Sequence, residues 1–390
     1  MKYNFDELID RRGTVSIKWD YLDEIFGSAD LTSMWVADMD FKSPEPVIQA
    51  IVERAKHGVY GYTGKDDHFF QSVIQWMEDI HHVKTQKEWY IPTPGVLAGI
   101  SAAINSFTQP GDEIIVQPPV YYPFFSSIEN NGRKLIKNPL KIQESSYQMD
   151  LEDLENKITN RTTMLILSNP HNPVGRVWEE NTLKQLGTLC KKKGIFIIAD
   201  EIHADLIFND HQHYSFLTFE AFHSHSMVFI APSKTFNLAG LSTASAVIPD
   251  QEIRRRFQNQ IDTWHIGGLN LFGIMGFQAA YQFGKEWYEQ MLEYVWENYL
   301  FMVDYIERHI PLIKVFPLEG TYLAWVDFRN LNLTHEKVND LCLNEAKLAL
   351  DEGMMFGYEG SGFQRFNIAC PRSILKEALE KLAIQIRKLA

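Results

Sequence analysis

Short apolar runs alternate with amphipathic stretches through the middle of this chain, and that alternation most constrains its fold. Four β-rich runs each end in a turn rich in Pro, Gly, Asn or Asp: Glu113–Val116, Thr163–Leu167, Ile195–Ala199 and Met227–Ala231. Amphipathic segments fill most gaps, as Glu179–Lys193 does between the second and third runs. Such alternation predicts an α/β fold, a mostly parallel sheet flanked by helices. Ligands bind these sheets at the carboxyl ends of the strands.

The last hundred residues follow a different pattern. It predicts, in order, a helix at Trp287–His309, a strand at Gly320–Phe328, a helix at Thr334–Asp351, a Gly-rich turn, a strand at Arg365–Ala369 and a final helix. The first forty or so residues contain no strand–helix–strand unit. We therefore predict a large α/β domain over residues 49–285, and a smaller discontinuous α+β domain formed by residues 1–48 and 286–390.

Charge and cysteine content exclude several classes of protein. The 390 residues include 50 acidic and 37 basic side chains, a formal net charge of −13, which gives no general attraction to nucleic acid or anionic membranes. The N-terminus MKYNFDELIDRRG has no apolar signal core, and no apolar run approaches the roughly 20 residues that cross a bilayer. Three scattered cysteines and isolated histidine pairs predict neither disulfides nor a metal site. We expect a cytoplasmic protein.

Lys234 follows the strand-like run Met227–Ala231, in the segment APSKTFNLAG. A lysine flanked by small residues at the end of a buried strand is unusual, because ammonium groups avoid protein interiors. A partly desolvated lysine is neutral enough to attack a carbonyl carbon. The adjacent Ser233 hydroxyl is a donor for a phosphate. From this segment alone, a surface loop lysine is an equally good interpretation.

Asp200 directly follows five apolar residues in IFIIADEIHADL, which places a carboxylate at the buried tip of a strand. A buried carboxylate needs a cationic partner, and a protonated pyridine nitrogen is one. His203, three residues later, could orient Asp200 or approach a ring oxygen. The alternative is that Asp200 only caps a following helix.

Three further segments suggest ligand contacts, although each has a simpler structural interpretation. In SNPHNPVG, two Asn-Pro steps make an irregular turn in which the Asn172 amide can donate to a phenolate oxygen. PTPGVLAG opens a helix at Gly95, whose free N–H groups attract phosphate. PPVYYPFF offers an aromatic face to a flat ring, or belongs to the core.

Taken in order, these pieces resemble the fold-type I pyridoxal 5′-phosphate (PLP) enzymes of the class I/II aminotransferase superfamily. The matching positions are Gly95, Val96, Leu97, Tyr121, Asn172, Asp200, Lys234 and Arg365. Within that superfamily, DRRGTVSIKWD, MWVADMDF and EGTYLAWVDFR resemble the cystathionine β-lyase, or C–S lyase, branch. The resemblance covers nearly the whole chain.

The resemblance implies a role for each of these residues. Lys234 is the catalytic residue, which holds the cofactor covalently and moves the substrate Cα proton. Asp200 pairs with the pyridine nitrogen and Tyr121 stacks on the ring. Further cofactor contacts are implied for Gly95, Val96, Leu97, Asn172, His203, Ser233 and Tyr62, the last reaching a neighbouring subunit of a homodimer. Arg365, with Asn172 beside it, takes the carboxylate of an amino-acid substrate.

Two positions depart from the superfamily pattern. Many aminotransferases carry a serine three residues before the lysine and an arginine eight residues after it, both on the phosphate, where this chain has Ala231 and Ser242. The lyase branch shares the loss of the arginine. The expected reaction is therefore β-elimination from L-cystathionine or related S-substituted L-cysteines, giving a thiol, pyruvate and ammonia. The alternatives are an aminotransferase and a regulatory protein that retains a PLP site.

Overall fold

The computed structural model describes residues 2–209 and 211–389. The strands in these residues are β1 Thr32–Ser33, β2 Tyr90–Thr93, β3 Glu113–Val116, β4 Lys134–Lys137, β5 Lys141–Gln143, β6 Ser146–Gln148, β7 Thr162–Ser168, β8 Phe196–Asp200, β9 Ser226–Ile230, β10 Ala244–Val247, β11 Lys314–Val315, β12 Leu323–Asp327, β13 Leu348–Ala349, β14 Asp351–Glu352 and β15 Phe363–Asn367.

The α-helices in the same residues are α1 Ile17–Asp20, α2 Leu22–Phe26, α3 Glu45–Lys56, α4 Asp67–His81, α5 Val96–Phe107, α6 Pro123–Glu129, α7 Leu151–Lys157, α8 Glu180–Lys193, α9 Gln251–Thr263, α10 Leu271–Phe283, α11 Lys285–His309, α12 His335–Asp340 and α13 Arg372–Arg387. None of them is long and apolar enough to cross a membrane.

A seven-stranded sheet forms the centre of the protein, in the order β2-β10-β9-β8-β7-β3-β4. Strands β4, β3, β7, β8 and β9 run parallel, and β10 is antiparallel to both of its neighbours. The predicted mostly parallel sheet is confirmed. Strand β3 has the predicted bounds, and each end of β7, β8 and β9 lies one residue from its predicted position. Helices cover both faces, which explains why these strands read as continuous apolar runs.

The helices that cover the sheet are defined by their apolar faces and their ends. In α8 the buried side Leu183, Leu186 and Cys190 recurs at helical spacing. This helix ends at Gly194, whose φ of 72° is left-handed and whose N–H satisfies the last carbonyls. In α4 the Asp66 side chain caps the start by accepting from the Phe69 N–H. The capping residues set where these helices begin and end, and their apolar faces pack against the core of the sheet.

A second, antiparallel sheet has the order β11-β12-β15-β14 and lies in the C-terminal part of the chain. The N-terminal strand β1 pairs in parallel with β13, which joins the first residues to the C-terminal part, and the predicted domain boundaries stay a prediction. Helix α11 and helix α13 pack against each other beside it.

The predicted helix Thr334–Asp351 is wrong in its second half. Helix α12 ends at Asp340, a π-helical turn follows at Leu341–Glu345, and the chain then forms β13 and β14. Lys347 has a left-handed φ of 57°, which ends the helical path. The apolar Leu348 and Ala349 are strand residues that pair with β1, and the acidic Asp351 and Glu352 pair with β15.

Candidate functional site

A cavity of about 310 Å³ lies at the carboxyl ends of the central parallel strands. It brings together nine residues that the sequence singled out: Gly95, Val96, Leu97, Tyr121, Asn172, Asp200, His203, Ser233 and Lys234. They meet because neighbouring parallel strands end at one edge of the sheet, where Ser168 of β7 pairs in register with Asp200 of β8. Arg365 lies behind this lining, and Tyr62 lies elsewhere on the surface.

Lys234 lies in the turn that follows β9, with its ammonium group directed into the cavity. Its Nζ donates a 2.7 Å hydrogen bond to the carbonyl oxygen of Ala37. Burial, together with the nearby Arg365 cation, lowers the pKa of Lys234 to about 8, against the opposing pull of Asp38 and Asp200. A lysine with this pKa has a much larger neutral fraction near physiological pH than an ordinary lysine, and its neutral form can act as a nucleophile or a base.

Polar contacts of the residues that follow Lys234 fix the turn that carries it. Thr235 Oγ1 donates to the buried carboxylate of Asp205, which also accepts from Trp76 Nε1 at 2.9 Å and lies 2.6 Å from His81 Nε2. Two residues further on, Asn237 Nδ2 donates to the carbonyl oxygens of Met39 and Phe41 at 2.9 Å each. The turn is therefore held by the neighbours of Lys234, and the lysine amine itself makes only the hydrogen bond to the Ala37 carbonyl.

Asp200 is the last residue of β8 and is only 6% exposed. Its Oδ1 accepts one hydrogen bond, from the Ile202 N–H at 3.1 Å, and no basic side chain in the described residues forms an ion pair with it. Burial raises the pKa of Asp200 to about 7, although the nearby Lys234 opposes the rise. The residues that follow form turns, so Asp200 caps no helix. A buried carboxylate that has no ion-pair partner in the protein is suited to a cation that a ligand brings to it.

His203 and Asn172 line the cavity between these two groups. The His203 ring is buried, and its Nδ1 has no hydrogen-bond partner among the described residues. Burial and the cations of Lys234 and Arg365 lower its pKa well below the usual value, so the ring is neutral and can exchange a hydrogen bond with a ligand. Asn172 follows β7 in the Asn-Pro turn, and its Oδ1 accepts from Arg365 Nη1 at 3.0 Å.

The start of helix α5 forms the opposite end of the cavity. Gly95 is its N-terminal cap with a left-handed φ of 102°, and the first hydrogen bond of the helix runs from the Gly99 N–H to the Gly95 carbonyl. The N–H groups of Val96 and Leu97 precede that bond, so both are free to bind an anion. Ser233 lies at the same cavity.

Tyr121 supplies the aromatic face of the cavity. Its ring packs edge-on against Phe124, with centroids 5.6 Å apart and planes at 84°. Burial raises the pKa of its hydroxyl far above the usual value, so the ring is neutral. A flat ligand ring can stack on such a surface.

Arg365, on β15, is buried and makes three polar contacts through its terminal nitrogens. Nη1 donates to Asn172, and Nη2 donates to the Trp35 carbonyl at 2.8 Å and to the carboxylate of Asp351. These contacts give Arg365 two structural features. It is half of a buried ion pair, and it also contacts a residue of the cavity wall.

Tyr62 is fully exposed and does not reach the cavity of its own chain. It lies in an exposed apolar segment with Val59 and Tyr60. The predicted contact with a neighbouring subunit is not tested by a single chain and stays a prediction.

The residues of the cavity fit PLP in kind and in arrangement. A buried carboxylate without a cation, Asp200, suits a protonated pyridine nitrogen, and the unpartnered His203 Nδ1 lies among the ring-contact residues. The free N–H groups at the start of α5 suit a phosphate, and Lys234 offers an amine of lowered pKa for covalent attachment. Ala231 and Ser242 also line the cavity, and these are the two positions at which this chain departs from the superfamily pattern.

Sequence reasoning missed three groups at the site. The Ala37 carbonyl gives no signal in the sequence, because every residue has one. Asp351 was placed in a helix and not considered as a partner of Arg365. Thr243 lines the cavity next to Ser242, and its segment LSTASA has no distinctive composition.

Comparison with known proteins gives a consistent result. The family model described as "Aminotransferase class I and II" matches residues 30–382. The cystathionine beta-lyase PatB of Bacillus subtilis (strain 168) is 39% identical over 381 residues, which cover 97% of this chain and 98% of the relative.

Two solved structures superpose over almost the whole chain. Cystalysin from Treponema denticola, which contains a pyridoxal 5′-phosphate cofactor, has a TM-score of 0.96 and 34% identity, and covers 100% of both chains. The PLP-bound C–S lyase from Staphylococcus hominis has a TM-score of 0.92 and 29% identity, over 99% of this chain and 98% of that one.

Proposed function

This chain belongs to the class I and II aminotransferase family, and from that premise we propose that it is a PLP-dependent carbon–sulfur β-lyase. Its substrates are L-cystathionine or related S-substituted L-cysteines, and its products are a thiol, pyruvate and ammonia. The observation that carries this proposal is the near full-length match to a cystathionine beta-lyase at 39% identity, together with the match to PLP-bound C–S lyases. The cofactor is PLP.

PLP, when bound, supplies an electron sink that stabilises negative charge at the substrate Cα. Lys234 would be its attachment point, and the freed Nζ would remove the proton from Cα, because the lowered pKa makes the neutral amine more available than in an ordinary lysine. Asp200 holds a proton on the pyridine nitrogen, since its carboxylate has no other cation to pair with. His203 and Asn172 hydrogen-bond the ring oxygen.

Orientation comes from the other residues of the cavity. Tyr121 stacks on the ring, and the N–H groups of Val96 and Leu97 with the Ser233 hydroxyl hold the phosphate. Arg365 binds the substrate carboxylate, which directs the Cα–H bond toward Lys234. Fixed geometry of this kind reduces the entropy cost of proton removal.

We also propose that the enzyme is a cytoplasmic homodimer in which Tyr62 completes the site of the neighbouring subunit. Support comes from the exposed Val59, Tyr60 and Tyr62, an apolar segment of the type that protein interfaces cover. Sedimentation of the holoenzyme tests this assembly, and an active monomer at working concentration would refute it.

The experiment that tests the reaction is an assay with L-cystathionine and no keto acid. A β-lyase returns its cofactor to Lys234 after each cycle, so pyruvate and ammonia should accumulate over many turnovers. An aminotransferase would stop after one turnover and resume when 2-oxoglutarate is added. A regulatory protein would bind the amino acid and form no pyruvate.

A further inference from the structure

The guanidinium of Arg365 is already engaged on the side that a carboxylate would use. Nη2 donates both to the Trp35 carbonyl and to Asp351, and Nη1 donates to Asn172. Nε has no hydrogen-bond partner among the described residues. Arg365 and Asp351 are both 2% exposed, so this ion pair is desolvated.

A carboxylate binds an arginine bidentately along one of two edges of the guanidinium, either Nε with Nη2 or Nη1 with Nη2. Both edges include Nη2. A bidentate substrate carboxylate must therefore displace either the Trp35 carbonyl or the Asp351 carboxylate from Arg365.

The Trp35 carbonyl is fixed by the backbone on either side of it. The Met34 N–H donates to the Ala349 carbonyl at 2.9 Å, and the Met34 carbonyl accepts from the Asn367 N–H at 2.8 Å. The Val36 carbonyl accepts from the Asn367 side chain at 2.6 Å. Moving Trp35 would break this set, so Asp351 is the group that yields.

Asp351 has space into which it can turn. It lines a second cavity, of about 300 Å³, together with Trp35, Leu350, Glu352 and Gln364. Rotation of one side chain therefore exchanges one anion for another on Arg365 without leaving a buried guanidinium unpaired, which would be costly.

We infer that Asp351 is an internal competitor of the substrate carboxylate, a specificity-determining residue that occupies Arg365 until an amino acid displaces it. This inference rests on the proposed role of Arg365. The competition would have two effects. Only a ligand that binds Arg365 more strongly than Asp351 does would displace the aspartate. The KM for the substrate would be higher than it would be without Asp351.

The test is a KM and kcat comparison on the holoenzyme with S-methyl-L-cysteine, measured as pyruvate release. In Asp351→Asn, a neutral group replaces the competing anion while its oxygen still accepts a hydrogen bond. The KM should fall by about 5- to 12-fold, the difference between a charged and a neutral hydrogen bond, and kcat should stay within about twofold. Asp351→Ser, whose side chain is too short to reach Arg365, should lower KM in the same direction.

Glu352→Gln is the matched control. It removes the neighbouring negative charge on the same strand, which pairs with His335 and not with Arg365, so KM should not change. The methyl ester of the substrate has no free carboxylate and should bind the wild type and Asp351→Asn equally well.

An unchanged or raised KM in both Asp351 variants would overturn the inference, because it would make Asp351 a structural support of Arg365. Arg365→Gln separates this result from failure of the proposed role. If its KM for the acid rises while Asp351→Asn has no effect, Arg365 binds the carboxylate and only the competition is refuted.

Discussion

Replacing Asp200 with Asn should stabilise the cofactor-free protein while disabling the enzyme. The carboxylate is 6% exposed, lacks a cation and has a single hydrogen bond, from the Ile202 N–H, which an Asn oxygen can also accept. Burial raises the pKa of Asp200 from 3.8 to about 7, so the folded chain binds the proton more tightly than the unfolded chain does. The favourable contribution of that proton is fully present below pH 3.8 and is lost as pH rises through 7.

The magnitude follows from the same values. A pKa raised from 3.8 to about 7 means that the ionised form costs the folded apoprotein about 4 kcal/mol at pH 8. Asp200→Asn removes this cost, so its apoprotein should unfold at a higher urea concentration than the wild type at pH 8. The advantage should shrink as pH falls below 7 and vanish near 3.8. PLP should stabilise the wild type more than the variant, because only the wild type offers a carboxylate to the pyridine nitrogen.

Urea unfolding of both apoproteins at pH 8 and pH 5.5, with and without PLP, measures these effects. Asp205→Asn is the control, because Asp205 is an equally buried aspartate of the same segment whose pKa is lowered, against burial, by hydrogen bonds from His81, Thr235 and Trp76. It should destabilise the apoprotein, opposite in sign to Asp200→Asn. Lyase activity should fall about a hundredfold or more in Asp200→Asn. Loss of apoprotein stability in both variants at pH 8 would refute the assignment of Asp200 as a carboxylate reserved for the cofactor.

Four further predictions follow, two for the lysine, one for the arginine and one for the phosphate end. Lys234→Ala should abolish turnover while circular dichroism shows an intact fold, and turnover within about tenfold of wild type would exclude Lys234 as the catalytic group. The rate of covalent PLP uptake by the apoprotein should rise as pH passes about 8, because only neutral Lys234 is nucleophilic; a rate that is flat from pH 7 to 9 would contradict the lowered pKa. Arg365→Ala should raise KM by about 10- to 150-fold with a smaller fall in kcat, and an unchanged KM would mean that another group holds the carboxylate. Ser242→Arg should slow cofactor loss on dialysis if its side chain reaches the phosphate.

The parts of the site that the sequence predicts are those that a strand end positions. Asp200 and Asn172 follow adjacent parallel strands, and Lys234 follows the next one, so their approach needs only the topology of the sheet. Parallel strands share an edge, and a residue just beyond each strand end is therefore near the others. The left-handed Gly95 at the start of α5 is predictable for a different, local reason. A glycine before a helix of small residues marks a turn and an anion-binding helix start.

The arginine environment could not be predicted in this way. Arg365 and Asp351 are directly opposite each other on antiparallel strands β15 and β14, and this pairing depends on a strand too short to have a pattern of its own. The apolar run before Asp351 has a helical appearance, and only the pairing of Leu348–Ala349 with Thr32–Ser33, more than three hundred residues earlier in the chain, makes it extended. Tertiary contacts override local preference at such positions.

The two buried aspartates of IFIIADEIHADL show how one segment separates catalysis from support. The Asp205 carboxylate receives hydrogen bonds from Thr235 and Trp76 and pairs with His81, so its charge is satisfied before any ligand binds, and it fixes the turn of Lys234. Asp200 is left with one backbone hydrogen bond, and its charge becomes favourable only when a cation reaches it. Thr235 and Asn237 keep their contacts to the turn when the Lys234 amine gives up its single hydrogen bond to the Ala37 carbonyl. In the proposed reaction, we therefore expect the amine to exchange this hydrogen bond for the cofactor while the residues that position it stay in place.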